Sequence, residues 1–294
     1  IQHLSENHSA SGTFLGAGIG VPGIIDMQTG IVRKSANLPG WSDYPVRAEI
    51  EQRLKAHVVL ENDANVAALG EKWLGAARDV ANMAMVTLGT GIGGGIVLDG
   101  KIWHGMHGMA GEVGHVMVEP EGYPCGCGSR GCVEQYASAT AVVRMAQEAI
   151  SSGEAPMLAK ASSSDPEFTA QSIYTLAIQG NEDAGRIFRS VGRYLGILLA
   201  DIINVLNLDM YVIGGGVSSA WDAFAPAMFE EARLRSQVYA ATAPAEPLRN
   251  AILGKEGALA QIESRTARKT IVTAALLGSD AGLYGAARTA LTAA

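Results

Sequence analysis

Four side chains in one short stretch stand out for the chemistry they offer. His115, Cys125, Cys127 and Cys132 supply one imidazole and three thiols within 18 residues. A Cys₃His set fills the tetrahedral shell of a structural zinc ion and leaves no open position for catalysis. Gly126, Gly128 and Gly131 let the backbone turn tightly enough for three sulfurs to converge. Three reduced core cysteines and an incidental histidine are the bland alternative. PCGCGSRGC (124–132) has no apolar neighbours from which to build such a core. The expectation is a zinc ion that shapes a loop. These are all the cysteines of the chain, an odd number and no disulfide framework.

A second constellation is ENDANVAALGE (61–71), where Asp63 follows a short strand and begins a helix. Open α/β sheets bind ligands outside the carboxyl ends of their strands. An aspartate there either caps the helix or acts as a general base toward an attacking hydroxyl. Asn62 beside it can both donate and accept, as neighbouring sugar hydroxyls require. Glu112 and His115 in GMAGEVGH, and Glu134 in GCVEQ, bracket the cysteine loop. Carboxylates there would accept from a polyhydroxyl ligand, although a salt bridge is the plain alternative for either glutamate. His115 has two ring nitrogens, one for zinc and one for a sugar.

Two glycine turns complete the set. LGTGIGGG (88–95) gathers backbone N–H groups and a threonine hydroxyl between two strands, which suits a phosphate as well as a tight hairpin. IGGGVSS (213–219) lies between a strand and a helix, where N–H groups and the helix dipole favour a nucleotide. There is no GxxxxGKS/T run, so a Walker-type site is excluded.

The elements that must hold these groups follow from pattern. Residues 1–12 read as a helix end and a polar turn, and 14–26 as a strand broken by glycines. An amphipathic helix is expected over 45–56, a strand over 57–63 and a helix over 64–75. Residues 83–100 read as a hairpin and 104–134 as an irregular loop. Helices dominate from 135, with a long one over 186–207, then a strand and a glycine turn within 209–219 and a helix from Trp221. Residues 234–270 have no clear pattern, and 271–291 read as strand, turn and helix. Alternating strands and helices indicate an α/β fold with mixed sheets.

Composition narrows the class. Of 294 residues 48% are hydrophobic, enough for a sizeable core and too many for a disordered chain. The 22 basic residues against 29 acidic ones leave a net charge of −7, which argues against a protein that coats nucleic acid. No apolar run reaches the roughly 18 residues of a bilayer span. Reduced cysteines point to a cytoplasmic setting, with no membrane and no nucleic acid as partner.

Together these stretches resemble the ROK family of bacterial sugar kinases and repressors. GIGVPGIID (18–26), ENDAN (61–65), LGTGIGGGI (88–96), GEVGH (111–115), CGCGSRGCVE (125–134), IGGGVS (213–218) and GSDAGLYGAA (278–287) carry the likeness. The resemblance implies the ribonuclease-H-like, actin-like ATPase fold, with two lobes around a cleft. Residues 1–75 plus 277–294 would form the smaller lobe, and 76–276 the larger one with the zinc loop. It implies Asp63 as catalytic base, with Gly23, Asn62, Glu112, His115 and Glu134 toward the sugar. Gly89, Thr90 and Gly91 would face the phosphates of ATP, and Gly214 and Gly215 its adenosine. Zinc would sit on His115, Cys125, Cys127 and Cys132, and Mg²⁺ would accompany ATP.

The family's usual opening, a DxGGT phosphate loop between two strands, has no counterpart here. The start at Ile1 leads us to expect a fragment of a longer protein rather than a crippled member, and 234–270 to be a surface insertion. The implied activity is phosphorylation of a hexose at its 6-hydroxyl, with glucose first. N-acylmannosamine kinase and a non-catalytic sugar-sensing repressor core are the alternatives. A homodimer or homotetramer is expected.

Overall fold

A computed structural model describes residues 13–35, 38, 40–163, 165, 167–244 and 269–293. The expected helix end within 1–12, and 245–268 of the unpatterned segment, lie outside the described residues. The glycine-broken run forms β1 (Ala17–Val21) and β2 (Ile24–Asp26), parted by a turn at Pro22 and Gly23. Gly23 has φ 112°, and a side chain on it would meet the Lys34 carbonyl. β3 (Ile31–Lys34) and β4 (Ser42–Tyr44) complete an antiparallel sheet in the order β2-β3-β4. The amphipathic segment becomes α1 (Val46–Leu54). It stops where Lys55 adopts the left-handed conformation, with φ 51°.

β5 (Val58–Asn62) lies parallel to β1, with Ala17 opposite Val58 and Val21 opposite Asn62. It runs without a break into α2 (Asp63–Trp73), and the expected hairpin follows as β6 (Met83–Leu88) and β7 (Ile92–Leu98), with β8 (Lys101–Ile102) beside it. Within the long irregular loop the structure adds a 3₁₀ turn at Val113–His115 and isolated bridges joining Met117 to Cys132 and Pro124 to Arg130. Then come α3 (Glu134–Ala137), α4 (Ala139–Ser151), α5 (Pro156–Ser162), α6 (Ala170–Ile178) and α7 (Glu182–Leu206). β9 (Met210–Gly214) leads through a 3₁₀ turn into α8 (Trp221–Arg235), starting at the residue the sequence indicates. α9 (Gln237–Thr242), β10 (Ile271–Ala274) and α10 (Ala281–Ala293) end the described chain. β10 and β9 are parallel neighbours in a five-stranded sheet of order β10-β9-β6-β7-β8. Among the described residues no helix is long and apolar enough to cross a membrane.

The chain divides into two compact units. One comprises Ile1–Met85, Gly94–Gly111 and Leu276–Ala294, the other Val86–Gly93 and Glu112–Ala275. Residues 76–85 and 94–111, expected with the larger lobe, therefore sort with the first unit. Its core is built on Val21, Ile25, Val32, Val58 and Leu60. Gly70 and Gly285 let α2 and α10 approach closely, since a side chain on Gly285 would meet the Val66 carbonyl and one on Gly70 that of Ala281. At the end of α2 the fully buried Glu71 accepts N–H groups from Ala76 at 2.8 Å, Leu276 at 3.1 Å and Leu277 at 2.7 Å. That carboxylate pins the chain entering α10.

The second unit is mainly helical. α7 starts on Asn181, whose side chain accepts the Ala184 N–H, and buries Leu195, Leu198 and Leu199. α8 brings Phe224 and Met228 to meet it. Each such side chain stabilises by roughly 1.5–3 kcal/mol on leaving water.

Candidate functional site

The β5–α2 junction presents three of the expected residues together. Asn62 is the helix cap: its Oδ1 accepts the N–H groups of Ala64 at 2.9 Å and Asn65 at 3.2 Å. Its Nδ2 donates to the Gly23 carbonyl at 3.4 Å, which joins the β1–β2 turn to the junction. The capping role weighed for Asp63 thus falls to Asn62. Asp63 is exposed, and among the described residues its Oδ1 accepts only the adjacent Ala64 N–H, at 2.9 Å. It stands in the first turn of α2, just beyond the carboxyl end of a parallel strand, where its charge also suits the helix dipole.

Sequence reasoning passed over the residue just before this pair. Glu61 is 4% exposed. Its Oε1 accepts the Asn62 N–H and the Asn65 side-chain amide, both at 2.9 Å, and its Oε2 lies 2.6 Å from His104 Nε2. The hydrogen bond to Glu61 holds the His104 imidazole above its ordinary pKa, against the opposing effect of burial. An acid on a strand whose neighbour Leu60 is also buried was the available signal. The histidine lies 43 residues away and carried none.

The second unit gathers the metal-ligating set. One ligand atom from each of His115, Cys125, Cys127 and Cys132 lies within 4.8 Å of every other. Cys125 Sγ is 3.7 Å from His115 Nδ1, and Cys127 Sγ is 3.7 Å from Cys132 Sγ. Two sulfurs bound to one tetrahedral zinc are about 3.8 Å apart, and a sulfur and a nitrogen about 3.6 Å. The donor set and its spacing are therefore compatible with zinc. The loop is shaped for them by short backbone bonds: Cys125 N–H to Ser129 O at 2.8 Å and Gly128 N–H to Cys125 O at 3.0 Å. Burial pushes the Cys132 thiol up to about 12, so binding a cation there must displace its proton.

The flanking acids differ from one another. Glu112 is exposed, and its Oε2 lies 3.8 Å from His115 Nε2, the ring nitrogen turned away from the sulfurs. Glu134 accepts the Ile92 N–H at 2.9 Å on one oxygen, while the other lies 3.9 Å from Cys125 Sγ. It thereby ties the cysteine loop to the start of β7.

The glycine turn between β6 and β7 is fixed from both sides. Gly89 N–H donates to Gly91 O, Ala139 N–H donates to Gly89 O, and the Thr140 hydroxyl donates to Thr90 O. A cavity of about 340 Å³ opens beside it, lined by Gly89, Thr90, Tyr174, Phe188, Gly216 and Val217 among others. Tyr174 and Phe188 meet edge to face at 5.8 Å. Gly214 is buried at the end of β9, and Gly215, with φ 87°, turns the chain against the Leu88 backbone. Gly216, the third glycine of the run, is the one that lines the cavity. Gly91 lies instead against the Glu134 carboxylate.

Comparison with known proteins gives this arrangement a family. A family model described as ROK family matches residues 1–260. The chain belongs to the ROK family. A glucokinase of Halalkalibacterium halodurans is 43% identical over 222 residues, 75% of this chain and 67% of that protein. A putative xylose repressor of a Caldicellulosiruptor species is 37% identical over 210 residues, 71% of this chain and 52% of the repressor. The chain thus spans about two thirds of one relative's length and half of the other's. A solved structure of a ROK family glucokinase from Streptomyces griseus, in complex with glucose and AMPPNP, has a TM-score of 0.76 and 33% identity. That likeness covers 98% of this chain and 85% of the other. The fold is the actin-like ATPase fold of the ROK sugar kinases, and these relatives support a sugar kinase.

Proposed function

We propose that the protein is an ATP-dependent hexokinase that phosphorylates the 6-hydroxyl of glucose. The observation that carries this reading is the division of labour at the β5–α2 junction. Asn62 caps the helix, so the exposed Asp63 carboxylate is left for chemistry. In this reading Asp63 takes the proton of the sugar hydroxyl as its oxygen attacks the γ-phosphate in line. Asn62, Glu112, His115 and Glu134 hold the other hydroxyls, and Gly23 keeps the backbone close to the sugar. ATP, as its Mg²⁺ complex, enters the cavity beside Gly89 and Thr90, where Tyr174 and Phe188 offer apolar faces to its base.

His115, Cys125, Cys127 and Cys132 would hold zinc, which supplies a structural brace and a fixed orientation for the His115 ring. With Nδ1 toward the sulfurs, Nε2 is the nitrogen left for a hydroxyl. The GEVGH form is shared in our reading with kinases of both glucose and N-acylmannosamine, and the repressor relative favours a sugar-sensing role without catalysis. A coupled assay of the full-length protein across glucose, mannose, fructose and N-acetylmannosamine separates the three. Glucose is expected to give the highest kcat/KM. Asp63→Asn is expected to lower turnover by about 10²–10⁴-fold with little change in sugar affinity. Near-normal turnover in that variant removes Asp63 from the mechanism.

A further inference from the structure

We propose that Glu61 and His104 act as one positioning unit for the Asn62–Asp63 pair. The inference rests on the kinase reading above, because it concerns how the base of that reaction is aimed. Glu61 is nearly enclosed, and a buried carboxylate persists as an anion only when its oxygens are matched by donors. Here every donor is accounted for: Asn62 N–H and Asn65 Nδ2 on Oε1, and His104 Nε2 on Oε2. The first of these bonds fixes the peptide that joins Glu61 to Asn62. The second fixes Asn65, one turn into α2, whose own N–H is capped by Asn62. Among the described residues the buried Oδ1 of Asn65 has no hydrogen-bond partner, so its amide is held in place by Glu61 and not by a network of its own. Asp63 lies between these two clamped residues.

His104 supplies the Nε2 group that faces Oε2 of Glu61, and the hydrogen bond between them holds its imidazole above its ordinary pKa. It reaches Glu61 from the loop after β8, a loop closed by Ala110 N–H donating to the His104 carbonyl at 3.1 Å. The same loop runs past β2, since a side chain on Gly108 would meet the Ile25 carbonyl. The imidazole is therefore anchored on its own backbone. Loss of this partner would leave Oε2 of Glu61 unmatched, and the clamp on Asn62 would loosen. Angular freedom of the base costs turnover while leaving nucleotide binding alone, because a displacement of about 1 Å is enough for a loss on the order of 10²-fold.

The test is steady-state kinetics on full-length Glu61→Gln, His104→Gln, His104→Arg and the double variant E61Q/H104Q, with melting temperatures measured alongside. E61Q and H104Q are each expected to lower kcat by about 10–100-fold with KM for ATP unchanged. H104R, which restores a cation with N–H donors, is expected to recover most of the lost turnover. The double variant is expected to be no worse than the poorer single one, as members of one unit behave. Wild-type kcat in H104Q overturns the proposal, as does a double variant in which the two losses multiply. Losses that merely follow the unfolded fraction, with no recovery in H104R, overturn it too. Asp63→Asn in the same assay keeps the two readings apart. If D63N is inactive while E61Q and H104Q match wild type, only the positioning role fails. If D63N itself is fully active, the kinase mechanism fails.

Discussion

Between Val58 and Trp73 a strand passes directly into a helix, and hydrogen bonds of regular structure fix nearly every group around Asp63. Between His115 and Glu134 the chain has only a 3₁₀ turn and two isolated bridges, yet four ligand atoms converge within 4.8 Å. The first region is held by regular structure, with the Glu61 side chain bonded into it, and the exposed Asp63 carboxylate rides on that frame. The second is held by irregular backbone bonds, such as Cys125 N–H to Ser129 O and Gly131 N–H to Tyr123 O, and by the four side chains that converge there. A frame of the first kind should lose stability in small steps as single bonds are removed. One of the second kind, braced in our proposal by zinc, should fail all at once when that ion is withdrawn.

The sharpest way to break that contrast is to remove one ligand of the proposed zinc site. Cys132→Ser is expected to abolish zinc retention, read by metal analysis of protein purified without chelator. At free zinc about 1,000-fold above Kd, a bound ion contributes about 4 kcal/mol. For a unit of this size that is roughly 8–16 °C in melting temperature. A variant that melts with the wild type, or wild-type protein that carries no zinc, would show that the loop holds itself.

The next effect belongs to the backbone-held region. Glu71→Ala leaves the N–H groups of Ala76, Leu276 and Leu277 without their acceptor at a fully buried site. The expected cost is about 3 kcal/mol or more in urea unfolding, in keeping with buried donors left unpaired. A cost below about 1 kcal/mol would mean that water reaches these groups and that α2 is not pinned to the chain entering α10. Removing the cap is gentler. Asn62→Ala is expected to lose about 1 kcal/mol of stability, within the usual range for a helix cap, and in addition to raise KM for the sugar. A variant with unchanged KM would confine Asn62 to capping and sharpen the division of labour between it and Asp63.

These cases also show how far the sequence alone could reach. The strand–helix junction, the hairpin and the start of α8 follow from local periodicity and from turn residues, which the chain carries where it uses them. The four metal ligands are legible for a different reason: cysteine beside cysteine without apolar company has few other uses. The sequence offers capping at Asp63 only as the alternative to a general base, because aspartate and asparagine are both good caps and only the backbone angles decide between neighbours. At Asn62 they are φ −65° and ψ 145°, extended and not yet helical. Gly216, Tyr174 and Phe188 gave no signal as cavity walls, since what they line is set by how α6, α7 and the turn after β9 pack. Glu61, His104 and Glu71 escaped for the same reason. Their partners are brought together by tertiary structure, and no spacing along the chain announces them.

The smallest effect follows from the Glu61–His104 contact and its sign. The histidine is held above its unperturbed value of 6.5 by the hydrogen bond to Glu61. A group raised in this way binds its proton more tightly in the folded state. Its contribution is therefore complete below about pH 6.5 and disappears as pH rises through the raised value. With the side chain about a third exposed, solvent screens the pair and the gain is modest. Wild type is expected to melt above His104→Gln at pH 6, with the gap closing toward pH 9. A gap that stays constant would mean that the imidazole contributes packing and not charge. The junction would then be held by its regular structure and the Glu61 bonds to Asn62 and Asn65, with no share from the histidine's charge.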